Sequence, residues 1–474
     1  MTSQRSFLNW LRFAQYRKHL LLDVVHPYFV TTDITNFFDS ILYSHLEEAL
    51  RGLAVAPRML GLLFFLLERL SPRLDYTISH AISLPVDEFD CSRTLAHLLL
   101  FTHDDSMVEI VGEDNYVRWM DDQNFGVEST AAGLQVLSAV GYSLARLHLS
   151  ANSKKSKILS LSQARRHFHL DINELLDRAE ATEKVARTHK QRRALSKQIV
   201  NVWRRAQPHD NVGEFDKVLR RIYRLAGSSR LRFLRRRATI DLLSNPSLAD
   251  RVCDYMRCSS TVDEYLYWAE AVMANPEQIY PDVNVQIIES LLRIEANAAQ
   301  AKRLRRLAKT LLTGKTKILG SSDCKAIAPL LILRFGDRRS LPLLMRCFGE
   351  QRQTQERNVL RSGAIVYSSY GTSDFSQVRR AASRLLRNHL ADVVRLVDKV
   401  RAYTDVPPRY KARLDPRYDS VARAKYVDMR ALLTVRLLQL SRAPKVKTWI
   451  TTWKQKVKAE RISTYDRDLI DRLI

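Results

Sequence analysis

Three things are scarce in this sequence of 474 residues. Cysteine is the first. Cys91, Cys253, Cys258, Cys324 and Cys347 form no CxxC pair and stand at no zinc-binding spacing from histidine. That excludes a disulfide-stapled scaffold and a zinc finger, and reduced thiols suit a cytoplasmic protein. Uninterrupted apolar sequence is the second. The longest run, "LGLLFFLL" at 60–67, falls far short of the ~20 residues that cross a bilayer, so no membrane partner is expected. The opening "MTSQRSFLNWLRF" shows no apolar core with a cleavage site and reads as a helix start. The third is acid beyond the first third of the chain. Residues 1–159 carry 14 Lys+Arg against 18 Asp+Glu, whereas residues 160–474 carry 62 against 33. The net charge of +25 therefore belongs entirely to the later part. A surplus of that size calls for a polyanionic partner, nucleic acid or an anionic membrane, and of the two nucleic acid is expected.

What is present is a globular composition, 46% hydrophobic and 27% charged, in a chain long enough for two or three domains. Residues 28–41 read as a strand followed by a helix start. Residues 44–74 read as helical, with Leu46, Leu50 and Leu53 at helical spacing, and 91–103 as a second helix. "VEIVGEDNYVRWMDDQNFGV" (108–127) reads as strand, turn, strand; 129–148 reads as helix and "SKILSLS" as a further strand. This order predicts an α+β fold, a small antiparallel sheet backed by helices. From about residue 163 strand signals fade. Residues 170–245 are helical and very basic, as in "THKQRRALSKQ" and "LRFLRRR". Residues 246–474 read as an all-α, basic region of short amphipathic helices broken by turns such as "NPSLAD" and "DVPPRY". Within it, "LLILRFGDRRSLPLLMRCF" and "NVLRSGAIVYSSYG" resemble a HEAT-like helical pair. The expected divisions are 1–160, 161–245 and 246–474.

The chemistry concentrates in the first division. Asp33, in "YFVTTDITNFFDSI", ends an apolar strand, and Asp121 and Asp122 are adjacent at a hairpin turn. Carboxylates there are costly unless a positive charge joins them. If the hairpin lies beside the end of the Asp33 strand, three carboxylates converge. Such a cluster suits two Mg²⁺ ions, with Mn²⁺ a second option, because these ions take hard oxygen ligands and substrate phosphates. A metal pair about 4 Å apart activates an attacking 3′-hydroxyl and stabilises a leaving pyrophosphate.

The order of these segments closely resembles that of reverse transcriptases. Asp33 and Phe38 match the strand-borne Asp and the later aromatic of the family's motif A. Ser83-Leu84-Pro85-Val86-Asp87 stands where motif B has its L-P-Q-G, with the Gln and Gly replaced. Trp119-Met120-Asp121-Asp122 matches motif C, with Trp in place of the usual Tyr, and Asn152, Lys155 and Ser156 match motif D loosely. The "LP…SRxLAxxxL" and "RWxDD" forms, and "SQARRHFHLDINELLDRAE" at 162–180, resemble the bacterial antiphage group, the abortive-infection and defence-associated reverse transcriptases. Members of that group often carry a C-terminal helical-repeat domain.

The resemblance implies a right-hand polymerase palm over 1–160, a thumb-like segment over 161–245 and a repeat-like helical domain over 246–474. Asp33, Asp121 and Asp122 would be the catalytic carboxylates, with the Ile34 carbonyl completing a metal shell. Phe38 would sit under the sugar and exclude a 2′-hydroxyl, Lys155 would protonate the leaving pyrophosphate, and Ser92 and Arg93 would touch template or nucleotide. Partners would be an RNA template or DNA product and deoxynucleotide triphosphates, in a prokaryotic cytoplasm, with the chain able to form homo-oligomers. Only 32 residues precede Asp33, so the fingers are either reduced or encoded upstream of Met1; Arg12, Arg17 and Lys18 are the substitutes for their basic residues. Two rival readings remain. One is a catalytically inactive, nucleic-acid-binding relative. The other is a HEPN-type ribonuclease using Arg384 and His389 of "RLLRNH". Tyr403, Tyr410, Tyr418 and Tyr426 are candidates for a side-chain hydroxyl that primes synthesis.

Overall fold

Strand β1 (Tyr28–Thr32) owes its place to its two apolar neighbours. Successive strand side chains point to opposite faces. Val30 enters one core with Phe37, Leu46 and Phe125, and Phe29 enters another with Leu20, Leu21 and Phe168. A strand buried on both faces belongs inside a sheet, and the observed order is β2-β3-β1-β4, all antiparallel. The structure is a computed structural model that describes residues 13–21, 26–70, 82–85, 90–210, 212–313, 322–336, 342, 344, 357–370, 391–411, 414–419, 424–460 and 462–474.

Along the chain, β1 is followed by α1 (Phe37–Ser40), α2 (Tyr43–Gly52), α3 (Pro57–Leu70), α4 (Asp90–Leu99) and α5 (Phe101–Val111). Next come β2 (Tyr116–Trp119), β3 (Asp122–Val127), α6 (Thr130–Ala145), β4 (Lys157–Ser160) and α7 (Leu161–His167). The expected α+β class and small antiparallel sheet are present, in a chain that is mostly helical.

Two local expectations are corrected. Within the helix expected over 44–74, the described residues form two helices. The chain turns at residues 53–56, where Ala54 takes φ +56°, and Pro57 restarts it from a first-turn position that needs no N–H. "VEIV" (108–111), expected as strand, is the end of α5, which stops where Gly112 adopts φ +87°. Four such residues state only a weak strand preference, and packing of α5 on α6 overrides it.

The chain forms two compact units. One runs to Asp171 and takes in Asn211–Glu214; the other comprises Ile172–Asp210 and Phe215–Ile474. The second unit holds most of α8 (Leu170–Val185), then α9 (His189–Ala206), α10 (Phe215–Ser228), α11 (Arg235–Ser244), α12 (Ala249–Ser259) and α13 (Val262–Ala274). These are followed by α14 (Pro281–Leu291), α15 (Ala298–Thr313), α16 (Ser322–Phe335) and α17 (Arg357–Tyr370).

Alternate helices stack in this unit: α10 on α12, α12 on α14 and α14 on α16, with α17 packed on α16. The stack shares one apolar core, in which Arg334 is paired with Asp466 at 3.0 Å, both buried. The start of the first member of the expected HEAT-like pair, "LLILRF", forms the end of α16, and 337–341, 343 and 345–348 lie outside the described residues; the second member coincides with α17. The region expected to be all-α also contains a two-stranded hairpin, β5 (Arg417–Asp419) with β6 (Ala424–Tyr426). Three-residue strands are too short to write a period into the sequence.

Candidate active site

The sheet register positions the acids. β1 pairs with β3 so that Thr32 lies opposite Gln123, and the β2–β3 hairpin sets Trp119 opposite Asp122. One step past the Thr32–Gln123 pair stand Asp33 on one strand and Asp122 on its neighbour. Asp121 occupies the two-residue turn. Met120, the other turn residue, has φ +56°, the left-handed backbone that such short hairpins demand and that a bulky residue resists.

Arg118 holds this turn. Its Nη1 donates to the Met120 carbonyl at 2.9 Å and lies 3.3 Å from His97 Nδ1. Its Nε donates to Asp104 Oδ1 at 2.6 Å, and Nη2 donates to Asp104 Oδ2. Tyr116 donates its hydroxyl to the same carboxylate at 2.7 Å. Burial and the adjacent Arg118 push His97 down to about 4, so its Nδ1 is a neutral acceptor for the guanidinium. Next to Asp104 on α5, His103 bridges Ser143 Oγ and Gln123 Oε1, each at 2.9 Å. The sequence alone does not single out Arg118, Asp104, His97 or His103. Arg118 stands within "RWxDD", and no local pattern marks the other three as belonging with it.

The 150–156 segment is laid along the chain after β1. Asn152 N donates to the Asp33 carbonyl at 2.7 Å, and Thr35 N donates to the Ser150 carbonyl at 2.9 Å. These two bonds flank Ile34 and leave its own carbonyl out of the bridge. Ser156 Oγ is 2.7 Å from Thr32 Oγ1, and the 153–155 turn carries Lys155 back over Asp33. Lys155 Nζ donates to Asp33 Oδ2 at 2.6 Å, from a side chain 63% exposed to one 7% exposed. The hydrogen bond to Asp33 holds Lys155 above the ordinary lysine range. Burial, then the charges of Asp122 and Asp33, push Asp121 up to about 6, against the opposing pull of its own backbone N–H and of Lys155.

The "SLP" segment meets the same region. Leu84 N donates to the Phe38 carbonyl and Ser83 N to the Ile41 carbonyl, each at 3.0 Å; Tyr43 donates to the Ser83 carbonyl at 2.9 Å. Phe38 is half-buried at the start of α1, its ring 5.3 Å from that of Phe37. Segments distant in sequence are therefore joined: Asp33 to Lys155 by an ion pair, Asp33 to Asp122 by register, and Phe38 to Leu84 by a backbone hydrogen bond. Of the two residues expected at the α4 start, Arg93 is half-buried and Ser92 is fully buried, its Oγ without a hydrogen-bond partner among the described residues.

The donors at this strand end are hard oxygens, the ligand type a divalent cation prefers, and Asp121 is raised first by burial and only then by the neighbouring acids. Among the described residues, no group of three or more His, Cys, Asp or Glu stands close enough to hold a metal ion. Lys155 supplies the counter-charge to Asp33.

The other expected residues are spread elsewhere. Arg17 stacks over the Phe168 ring at 4.8 Å and lies 3.9 Å from Glu214, so it serves packing within the first unit; Lys18 beside it is half-buried. Tyr403 and Tyr410 face each other at 6.3 Å. Tyr426 lies half-buried under the Arg293 guanidinium, and Tyr418 is exposed. Arg12, Val86, Asp87, Arg384 and His389 lie outside the described residues. Among the described residues no helix is long and apolar enough to cross a membrane. No protein-family model matches the chain, and no curated protein matches it.

Proposed function

We propose that this chain is a metal-dependent nucleotidyltransferase of the reverse-transcriptase type, an antiphage polymerase with a palm as its first unit and a HEAT-like helical array as its second. The observation that carries the reading is the meeting of Asp33, Asp122 and Lys155 at one end of adjacent strands, with the Asp121 turn between. The stacking of alternate helices in the second unit supports the repeat-like part of the reading.

Asp33, Asp121 and Asp122 are the groups that would hold Mg²⁺ or Mn²⁺, with the Ile34 carbonyl as a further ligand. When bound, the ions activate the attacking 3′-hydroxyl and stabilise the pyrophosphate. Lys155 is exposed and would be the proton donor to the leaving pyrophosphate oxygen; the hydrogen bond to Asp33 holds that proton more tightly and would open before the transfer. Arg118 fixes the turn that presents Asp121, and is a positioning residue. Phe38 would shape the sugar pocket, and Arg93 would touch template or nucleotide. Ser92 is fully buried and its Oγ has no hydrogen-bond partner among the described residues, so it is not exposed to touch a ligand.

The test is incorporation of labelled deoxynucleotide by the pure protein with Mg²⁺ or Mn²⁺, with and without RNA, and with no added primer. Incorporation that disappears in the Asp121→Ala, Asp122→Ala double variant supports the reading; equal incorporation by that variant removes it. One observation favours a second reading, an inactive nucleic-acid-binding relative. Among the described residues the carboxylates are not gathered into a three-ligand group, and Asp33 is already neutralised by Lys155. That reading expects salt-sensitive strand binding with no metal-dependent turnover.

A further inference from the structure

The charge surplus of the second unit is not evenly spread. Many of its arginines are committed to carboxylates. Arg221 pairs with Asp177 and Glu180, Arg224 with Glu180 and Glu183, Arg237 with Asp210 and Asp241, and Arg303 with Glu270. Helix α9 differs. Its sequence "HKQRRALSKQIVNVWRRA" contains six Lys and Arg and no acid. All six are exposed, and no described carboxylate pairs with any of them. The acid-free helix α15 lacks this property, since its Arg303 is paired with Glu270 and its Arg305 donates to the Phe335 carbonyl.

The helical period sorts the α9 cations. Leu195, Ile199, Val202 and Ala206 are buried and define the inner face. Lys190, Arg193, Lys197 and Arg204 recur at spacings of three, four and seven, which places them in one stripe on the opposite face. At 1.5 Å per residue the stripe is about 21 Å long.

This arrangement works against the helix that carries it. Like charges three and four residues apart repel. Lys190, Arg192 and Arg193 also lie near the helix N-terminus, where the backbone dipole disfavours cations. Even the capping box is neutral: Thr188 closes on Gln191, where the capping box of α13 pairs Thr261 with Glu264. A row of phosphates would relieve all of these at once.

Aromatic surface lies at one end of the row. Trp203, in the last turn of α9 and about 100° round the helix from Arg204, is half-buried, with one face 5.2 Å from the Arg237 guanidinium and its ring 6.3 Å from Phe233. Phe233 belongs to the segment that carries the exposed Arg230, Arg232 and Arg236. Cations along a track with aromatic rings at its end are what a single strand uses, phosphates on the charges and bases against the rings.

We infer that the outer face of α9, with Trp203 and Phe233 at its end, is a binding track for single-stranded nucleic acid. The track shares its class of partner with the proposed polymerase, but nothing in it depends on metal or on nucleotide transfer.

The test is fluorescence anisotropy of a labelled oligothymidylate titrated with the full chain, in EDTA and without nucleotide, across a series of KCl concentrations. The stripe variant carries Lys190→Ser, Arg193→Ser, Lys197→Ser and Arg204→Ser. The control variant removes the same charge elsewhere, through Lys302→Ser, Arg442→Ser, Lys445→Ser and Lys447→Ser, four exposed cations of the same unit. The stripe variant is expected to bind at least tenfold more weakly at moderate salt. Its slope of log affinity against log salt should fall by about 3, at roughly 0.7 per lost phosphate contact. The control should bind like the native chain. A milder variant, Lys190→Ser with Lys197→Ser, should show about half the fall in slope, which keeps the test decisive if the fourfold variant folds poorly. Native-like binding by the folded stripe variant, or by the milder one, overturns the inference, as does an equal loss in the control. Stripe-dependent binding to phosphatidylserine vesicles with none to the oligonucleotide assigns the face to a membrane instead and likewise overturns it. Because the assay holds no metal, a failed incorporation experiment leaves its outcome untouched.

Discussion

Lys155 Nζ donates to Asp33 Oδ2 at 2.6 Å, which joins two residues 122 positions apart in the chain. The acid is buried and the lysine exposed. An ion pair with one partner in water contributes only about 0–1 kcal/mol to stability, so its value lies elsewhere. Lys155→Met is expected to shift the thermal midpoint by no more than a few degrees. In the incorporation assay it should cost about 10²-fold or more in kcat, the scale of a lost general acid. Unchanged kcat in a folded variant would remove Lys155 from the chemistry.

The Arg118–Asp104 pair predicts the opposite balance. Arg118 is buried and supplies hydrogen bonds to Asp104, to the Met120 carbonyl and toward His97. Removing one partner of such a pair leaves the other unpaired. Arg118→Met alone should destabilise the protein by about 3 kcal/mol in urea unfolding. Adding Asp104→Leu should recover much of that loss. The double variant should still incorporate nucleotide poorly, because the carbonyl that fixes the Asp121 turn has lost its donor. Full activity in a stable double variant would show that the turn needs no clamp.

Asp121 predicts how the fold responds to cations. Its carboxyl is raised from the usual value to about 6 by burial and then by Asp122 and Asp33. A carboxylate raised on folding destabilises the native state above its folded value, and that cost vanishes below its unfolded value. In EDTA at pH 7, Asp121→Asn should therefore stabilise the protein, by about 1–2 kcal/mol after allowance for solvent screening. Mg²⁺ should raise the thermal midpoint of the native chain, by an amount equivalent to about 2.7 kcal/mol at roughly a hundredfold excess over its Kd. The Asp121→Asn, Asp122→Asn variant should show no such rise. A midpoint indifferent to Mg²⁺ and Mn²⁺ in the native chain would leave the metal site without support.

His97 gives a pH dependence of the other sign. Burial, then Arg118, lowers it from 6.5 to about 4, with Asp104 opposing. Between those values the unfolded chain takes up this proton and the native chain does not. Stability from this group is complete above the unfolded value and is lost as pH falls toward the folded one. Asp121 titrates in an overlapping range with the reverse effect, so the comparison is made in the Asp121→Asn background. There the urea midpoint should fall between about pH 7 and pH 5, and His97→Asn should flatten that fall. An equal fall in both would place the proton uptake on another group.

Much of the sheet was legible in the sequence because its strands carry strong local signs. "YFV" before Asp33 is apolar on both faces, and "YVRW" and "DQNFGV" flank a turn short enough to recognise. The same local reading failed at "VEIV", where helix packing overrode β-branched residues, and at β5–β6, where the strands are too short to show a period. Asp33, Asp121, Asp122 and Lys155 stood out as residues. Nothing local indicated that Asp104 and His97, from two different helices, would meet Arg118 behind the turn.

Chemical identity and periodicity are written along the chain. By themselves they determined a basic later part, a slightly acidic earlier one, and acids placed at the ends of strands. Distances between remote residues are not local properties, because they follow from register and packing. Only the tertiary structure decided that Asp33 pairs with Lys155, that Ser92 is buried, and that the cations of α9 stand exposed without the carboxylate partners that Arg221 and Arg224 find. A sequence states which charges exist; the fold determines which of them are matched.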